Sequence, residues 1–271
     1  MYSIRHLHRL LAAFVLAAAC LAAAPVRASL GTNFTDQWWN PAESGWGVSI
    51  HQQYDVMFVI FFVQGPDSLP IWYAAPAYYE YNAGMPAFTG DLYQTNGPWF
   101  GGTFDPSSVT ERKVGSVTFT ATSVDTALLT YSVDGVRVTK SIERQLWTYE
   151  DFSGEYYGGL DYSSSSCSDP ASNGYFEQFG PIHVDHASVV SMTIVTQSAA
   201  GSCTISGTYT QAGHMGTVVG AFDCGGGVAG PMTVFEMERN ASGMTGRFYA
   251  QSGSCLIAGR LGGIEREAPR Q

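Results

Sequence analysis

Ala127-Leu-Leu-Thr-Tyr-Ser-Val-Asp-Gly-Val-Arg-Val-Thr-Lys-Ser-Ile-Glu-Arg144 is the stretch that most directly indicates the fold. Asp134-Gly135 lies between two segments in which apolar and polar residues alternate, which is the strongest short signal for a β-hairpin. A two-residue turn at this point predicts two cross-strand pairs, Tyr131 with Val138 and Leu129 with Lys140. The stretch therefore predicts the antiparallel strands Ala127–Val133 and Val136–Arg144.

Similar short runs, separated by turn residues, fill the rest of the chain. The further strand candidates are Gly45–Gln53, Val56–Gln64, Leu69–Ala75, Ala87–Thr95, Val114–Ala121, Gly154–Tyr162, Phe179–Val184, Ser188–Thr196, Cys203–Thr210, Thr217–Cys224, Met232–Arg239, Gly243–Tyr249 and Cys255–Leu261. The pattern predicts an all-β chain of two small antiparallel meander or barrel-like domains, with about seven or eight strands each. It does not distinguish a barrel from a sandwich.

Residues 1–28 have the features of a secretory signal peptide. Arg5 and Arg9 give a basic start, Leu10–Ala24 is almost purely apolar, and Ala28 is a small residue at the expected cleavage site. Cleavage before Cys20 to give a lipoprotein is the less favoured alternative. We expect an exported protein, periplasmic or extracellular, in which domains 29–148 and 149–262 are followed by a tail, 263–271.

Charge and composition exclude some classes of partner. The 271-residue chain has 13 Lys and Arg against 23 Asp and Glu, a net charge of −10. Removing residues 1–28 takes away three arginines and no acid, so the net charge becomes −13. A negative surface repels phosphate backbones and anionic membranes, so no nucleic acid is expected as a partner. No stretch is apolar for long enough to predict a transmembrane segment.

Four cysteines follow the signal peptide, and all four lie in the second domain. An even number in an exported chain predicts two disulfides. Folding the chain symmetrically about the loop Gln211–Gly216 sets Cys203 opposite Cys224, and Cys167–Cys255 follows by elimination. There is no Cys-x-x-Cys spacing, which argues against a zinc site. We expect no metal and no cofactor.

The run Trp38-Trp-Asn-Pro-Ala-Glu-Ser-Gly-Trp-Gly47, continued by Val48–Gln53, carries a family resemblance. It resembles a family of uncharacterised exported proteobacterial proteins, and the similarity extends over most of residues 37–145. The second half resembles a domain that accompanies the first in such proteins. One departure is Gln53-Tyr54-Asp55, where the family usually has a glycine before the acid. The resemblance implies export and tandem β domains, and it brings no catalytic residues.

Aromatic crowding around this run makes it the candidate ligand site, since ligand sites are commonly apolar with a few placed polar groups. The candidate residues are Trp38, Trp39, Asn40, Glu43, Trp46, His51, Trp72 and Lys140. Lys140 shares a strand face with Val138 and Ile142, and Glu43 is its expected partner if that face is buried. The competing interpretation is that the tryptophans fill the end of a barrel.

We therefore expect a non-catalytic binding protein for a small molecule, a carbohydrate-like ligand or a protein. The alternatives are a structural or adhesion module of the cell envelope, and a hydrolase using Glu43 or His51. Val56–Val63 is apolar on both faces of its strand, so something must cover its outer side. Packing against the second domain or a second copy of the chain is the expected cover.

Overall fold

The computed structural model describes residues 31–82, 85–99, 101–188, 191–199 and 201–266. The predicted signal peptide, with Cys20, lies outside these ranges, as does the chain from residue 267. The described residues confirm the all-β class and its tandem arrangement. Each half is an antiparallel sheet closed into a barrel, which decides between a barrel and a sandwich. Both barrels belong to one compact unit that begins at Thr32.

The first barrel is a meander in which every strand pairs with the next and the last pairs with the first. A short 3-10 helix, Pro106–Ser108, precedes its sixth strand. The strands are β1 Asp36–Trp39, β2 Gly47–Gln53, β3 Val56–Gln64, β4 Pro70–Asn82, β5 Met85–Asn96, β6 Thr110–Ala121, β7 Thr126–Val133 and β8 Val136–Arg144.

The second barrel has the same meander order, and its last strand closes on its first. A second 3-10 helix, Pro170–Ser172, lies between its first two strands. The strands are β9 Gly154–Ser165, β10 Gly174–Ser188, β11 Ser191–Ser198, β12 Gly201–Ala212, β13 Met215–Asp223, β14 Ala229–Asn240, β15 Gly243–Ser252 and β16 Cys255–Glu265.

The hairpin predicted from the sequence is present with its predicted register. Leu129 pairs with Lys140 and Tyr131 with Val138. The turn places Asp134 at φ 48° and Gly135 at φ 86°, which matches the twist of the flanking strands. In the turn between β2 and β3, Tyr54 adopts φ 54°. That region favours glycine, so Tyr54 holds a conformation that a non-glycine residue rarely adopts.

Most strands are longer than the sequence predicts; β4, for example, continues to Asn82 and β10 begins at Gly174. One strand, Asp36–Trp39, is absent from the predicted set, which begins at Gly45. Four residues are too few for alternation to be recognised, and this strand forms by pairing with both β2 and β8. At the other end, the predicted tail begins at residue 263, but β16 continues to Glu265 because its last residues pair with β9.

A buried ionic cluster joins the two barrels, and Asp36 of β1 is its centre. Asp36 accepts hydrogen bonds from Arg144 (3.1 Å) and from the His214 ring (2.8 Å) and backbone N–H (3.1 Å). On its other side the His214 ring lies 3.6 Å from Glu238. Gly213 is required beside His214, since its φ is +58° and a Cβ would lie 1.9 Å from the Asp36 carboxylate.

The cluster fixes the charge state of its members. The hydrogen bond to Asp36, and next the contact with Glu238, raise the pKa of His214 to about 9. Burial acts to raise the pKa of Asp36, but the hydrogen bonds from His214 outweigh it and the pKa is lowered. His214 is therefore a cation at neutral pH, and its ion pair with Asp36 joins the second barrel to the first, where Arg144 holds the same carboxylate.

We expect this contact to make stability depend on pH. The folded-state pKa of His214 lies above its ordinary value of 6.5, so the stabilisation is complete below pH 6.5 and is lost as pH rises through about 9. Urea unfolding of wild type and His214→Asn across that window should show the steeper loss of unfolding free energy in wild type. His51→Asn, which removes an exposed histidine of the first barrel, should behave as wild type. Equal pH slopes in wild type and His214→Asn would contradict the assignment.

Candidate functional site

Trp38 is part of the first core and not of an open site. Its side chain is 0% exposed, and it packs against Phe34 and Phe119 at centroid distances of 6.5 and 5.1 Å. Its Nε1–H donates to the carbonyl of Phe34 at 3.0 Å, so the indole has its polar partner inside the barrel. Trp38 is therefore unavailable to a ligand, and including it among the candidate ligand-binding residues was wrong.

Glu43, Trp46 and Lys140 form a compact group at one end of the first barrel. The Lys140 ammonium donates to both carboxylate oxygens of Glu43, at 2.8 and 2.7 Å. The Trp46 Nε1–H donates to Glu43 at 3.0 Å, and the ammonium lies 5.9 Å from the Trp46 ring centroid. The Lys140 hydrogen bond lowers the pKa of Glu43 and raises that of Lys140. The predicted pairing of Glu43 with Lys140 is confirmed. The carboxylate and the ammonium neutralise each other within the protein.

The loop before β2 is held by backbone turns. The Asn40 side-chain oxygen accepts from the backbone N–H of Ala42, and the Glu43 N–H donates to the Asn40 carbonyl. Trp39 is half-buried in β1 and pairs with Glu143 of β8. Asn40 therefore shapes the turn that presents Glu43 to Lys140. These contacts agree with the interpretation that the segment is structural.

His51 and Trp72 lie on the outer wall of the first barrel, whereas the Glu43 carboxylate binds Trp46 and Lys140. The His51 ring is 3.4 Å from the Ser49 hydroxyl and, among the described residues, contacts no carboxylate. Trp72 is 48% exposed and pairs with Phe62 across β3 and β4. A nucleophile–base–acid arrangement requires all three groups together. The structure does not bring Glu43 and His51 into one site, so the geometry offers no support for the hydrolase alternative.

The outer side of Val56–Val63 is open. Met57, Val59 and Phe61 point into the core, whereas Phe58 and Phe62 are 44% and 49% exposed. The second barrel leaves these side chains exposed, so of the two expected covers a second copy of the chain stays a prediction. The sequence pattern identified the two apolar faces of β3. It could not identify what covers the outer face, because that depends on the position of the second barrel.

A cavity of about 480 Å³ opens at the end of the second barrel that faces away from His214. Its walls are mainly apolar side chains that point inward from the strands, and its rim is formed by the turns that join β11 to β12 and β13 to β14. The apolar lining residues are Leu160, Ile205, Phe222, Val228, Met232, Phe248, Ala250 and Ile257. Eight-stranded barrels are just wide enough to be filled by side chains or to hold one small ligand.

The opposite end of this barrel is filled, so the cavity is a pocket and not a channel. Phe152, Tyr156 and Tyr209 are fully buried there. The Tyr156 hydroxyl donates to the Phe152 carbonyl, and the His186 ring packs edge-on to Tyr209 at 4.4 Å. Burial raises the pKa of Tyr156 and lowers that of His186. Neutral aromatic side chains therefore form the floor.

A hydrogen-bonded pair of polar side chains lies in the apolar wall. The Gln178 amide donates to the Tyr162 hydroxyl at 3.2 Å, and both residues line the cavity. Because that oxygen accepts from Gln178, the phenolic hydrogen can be donated to a molecule in the cavity. Burial raises the pKa of Tyr162, which keeps the phenol protonated and able to donate.

Both predicted disulfides are present, and both lie at the open end of this barrel. Cys203 and Cys224 join β12 to the end of β13, and both line the cavity. Cys167 and Cys255 join the loop after β9 to the start of β16. The glycine-rich loop Gly225–Gly227, all at positive φ, follows Cys224. The disulfides thus fix the strand ends that surround the opening.

The sequence indicated the cysteines of this site but not the cavity. Its lining residues are ordinary core types, and nothing in their spacing separates a filled barrel from an open one. No group of His, Cys, Asp and Glu within the described ranges could hold a metal ion. No helix in the described part of the chain is long and apolar enough to cross a membrane. Comparisons with protein-family models, curated proteins and solved structures find no match.

We expect loss of the Cys203–Cys224 bond to reduce the stability of the second barrel. It closes a loop with a sequence separation of 21 residues, for which chain entropy gives about 3 kcal/mol of unfolding free energy. Urea unfolding of a Cys203→Ala/Cys224→Ala variant, followed through tyrosine fluorescence, measures this loss. Treating wild type with reductant should give a larger loss, since both bonds then open. An unchanged midpoint in the double variant would contradict the assignment.

Proposed function

We propose that this chain is an exported, non-catalytic binding protein whose second barrel holds one small, mainly apolar ligand. The observation that carries the proposal is the cavity of about 480 Å³ at the open end of that barrel. Its volume falls in the range of small-molecule sites, and its walls are apolar with few polar groups. The proposal keeps the binding role expected from the sequence and moves it from the first barrel to the second.

The polar pair in the cavity supports a more specific ligand chemistry. The Tyr162 hydroxyl is positioned by Gln178 and can donate one hydrogen bond. A ligand with an apolar body and one carbonyl or ether oxygen would satisfy it, whereas a pure hydrocarbon would leave it unpaired at a cost. No carboxylate or ammonium lines the cavity. A small neutral molecule with one acceptor fits this wall best.

The disulfides support an oxidising location. Intact disulfides are typical of periplasmic and extracellular proteins and rare in the cytosol. Two bonds at the rim of the cavity also keep its opening in shape without a bound molecule. Because the disulfides already order the rim, less conformational entropy is lost when a ligand binds. We therefore place the binding function in the periplasm or outside the cell.

The cavity proposal predicts one saturable site for a neutral apolar probe. N-phenyl-1-naphthylamine should gain fluorescence on binding with a stoichiometry of one. Ala250→Phe puts a ring into the cavity from β15 and should weaken this binding at least about tenfold.

Ala221→Phe is the matched control, because it adds the same ring on the outer face of β13, where Ala221 is exposed. It should bind the probe as wild type does. Thermal unfolding of both variants shows whether each barrel is folded. A folded Ala250→Phe protein that binds like wild type, or a wild type without saturable binding, would refute the proposal.

The first barrel offers a second candidate function, self-association through the outer side of β3 and β4. The observation in its favour is the exposed aromatic group formed by Phe58, Phe62 and Trp72. Large apolar groups that stay exposed on a monomer often mark an interface. A second copy of the chain would cover the face that the second barrel leaves open.

Self-association predicts a mass that depends on concentration. Sedimentation equilibrium should show a dimer in wild type. The Phe62→Ser substitution should raise the dimer dissociation constant at least about tenfold. Tyr157→Ser, which removes an exposed aromatic ring from the second barrel, is the control and should leave the dimer intact. A wild type that stays monomeric at every concentration would exclude this candidate.

A further inference from the structure

A shallow trough of about 290 Å³ lies on the outer wall of the second barrel, across β14, β15, β16, β9 and β10. Its outward-pointing side chains lie on the opposite face of the sheet from the cavity, although Tyr162 and Phe248, which point inward, line both. The strand register explains its shape. In one row, Tyr249 pairs with Ala258, Ala258 with Ser163, and Ser163 with Tyr175.

Two aromatic side chains, Tyr249 and Tyr175, therefore form the walls of the trough, and the short side chains between them form its floor. Tyr249 and Tyr175 are 55% and 61% exposed, and only the short side chains of Ala258 and Ser163 lie between them. Neighbouring strands are ~4.8 Å apart, so three spacings leave ~14 Å along the sheet between the two rings. This space is open to solvent and long enough for a short chain of sugar rings.

One wall is built as a preorganised stacking surface. The Tyr249 ring stacks on Phe235 at 5.0 Å with an interplanar angle of 17°. The Arg247 guanidinium lies 5.2 Å from the Phe235 ring centroid, and it donates to Glu236 at 3.1 Å. The Glu236 side chain is only 6% exposed, which fixes Arg247 in place. Phe235 covers one face of Tyr249, and the exposed part of that ring remains available to a ligand.

The floor carries a hydrogen-bond donor and an acceptor side by side. Arg260 pairs with Asp161 on one side and with Arg247 on the other. The Arg247 charge is paired with Glu236, so the repulsion between the two opposed arginines is reduced. Within the described residues, the exposed guanidinium of Arg260 makes no hydrogen bond or ion pair, and Asp161 uses only its Oδ1, which accepts from the Arg260 backbone.

From this arrangement we propose that the trough binds a neutral saccharide. Sugar hydroxyls both donate and accept, so they match Arg260 and the free oxygen of Asp161 together. Aromatic rings such as Tyr249 and Tyr175 present flat apolar surfaces with a polar edge, which suits the C–H face of a sugar ring. An anionic ligand would match the arginines but would be repelled by Asp161 and by the net charge of −10.

Calorimetric titration with neutral tetrasaccharides of glucose, xylose and N-acetylglucosamine tests the proposal, with a galacturonate oligomer as the charged comparison. At least one neutral oligomer should bind wild type saturably. Tyr249→Ala should weaken that binding at least about tenfold, since aromatic rings carry most of the energy of such contacts. Arg260→Gln should weaken it by less, because an amide keeps a donor.

Tyr157→Ala is the matched control, because Tyr157 is equally exposed on the same wall (56%) but lies six residues from Ser163 along β9. It should bind as wild type does. No binding of any neutral oligomer, tighter binding of galacturonate, or equal affinity in a folded Tyr249→Ala protein would each overturn the assignment. Saccharide binding and binding of the naphthylamine probe are measured in separate titrations, so either proposal can fail while the other stands.

Discussion

The buried guanidinium of Arg144 is the interaction on which the rest of the structure depends. Arg144 ends β8, and it donates to the carbonyls of Asn33, Thr35 and Val124 as well as to Asp36. Its guanidinium also lies 4.8 Å from the Trp38 ring centroid. Burial lowers the pKa of Arg144, and the Asp36 carboxylate opposes that shift. One side chain thus closes the first barrel, covers its core and holds the carboxylate that receives the second barrel.

The two barrels share a meander topology, but the side chains at their ends do different things. In the first barrel, the aromatic run predicted as a site supplies a core tryptophan and a Glu43–Lys140 pair that satisfy each other. In the second, the end near His214 is filled by aromatic rings and the far end is left open between two disulfides. Closure removes the exposed strand edges in both. Side chains on the inner and outer faces of the second barrel can therefore both contact ligands without any loss of strand pairing.

The sequence predicted the elements that local chemistry determines. Asp134-Gly135 predicted the register of its hairpin because few residues adopt the positive φ of that two-residue turn. The pairing of Cys203 with Cys224 followed from symmetry about the loop between them. The sequence could not assign Trp38, because a core tryptophan and a ligand-binding one have the same local pattern. It also missed the cavity and the trough, since both depend on residues far apart in the chain, such as Tyr175 and Tyr249, that meet only after the sheet has closed.

Pairing of the first strand with the last sets an order of events during folding. Asp36 and Arg144 are 108 residues apart, so the first barrel cannot close until its eighth strand has been synthesised. Contacts of such long range make folding slow, because loop entropy is lost before the contacts form. The Asp36 carboxylate that receives His214 is held by Arg144 only when β1 and β8 have paired. Docking of the second barrel at this contact therefore depends on closure of the first.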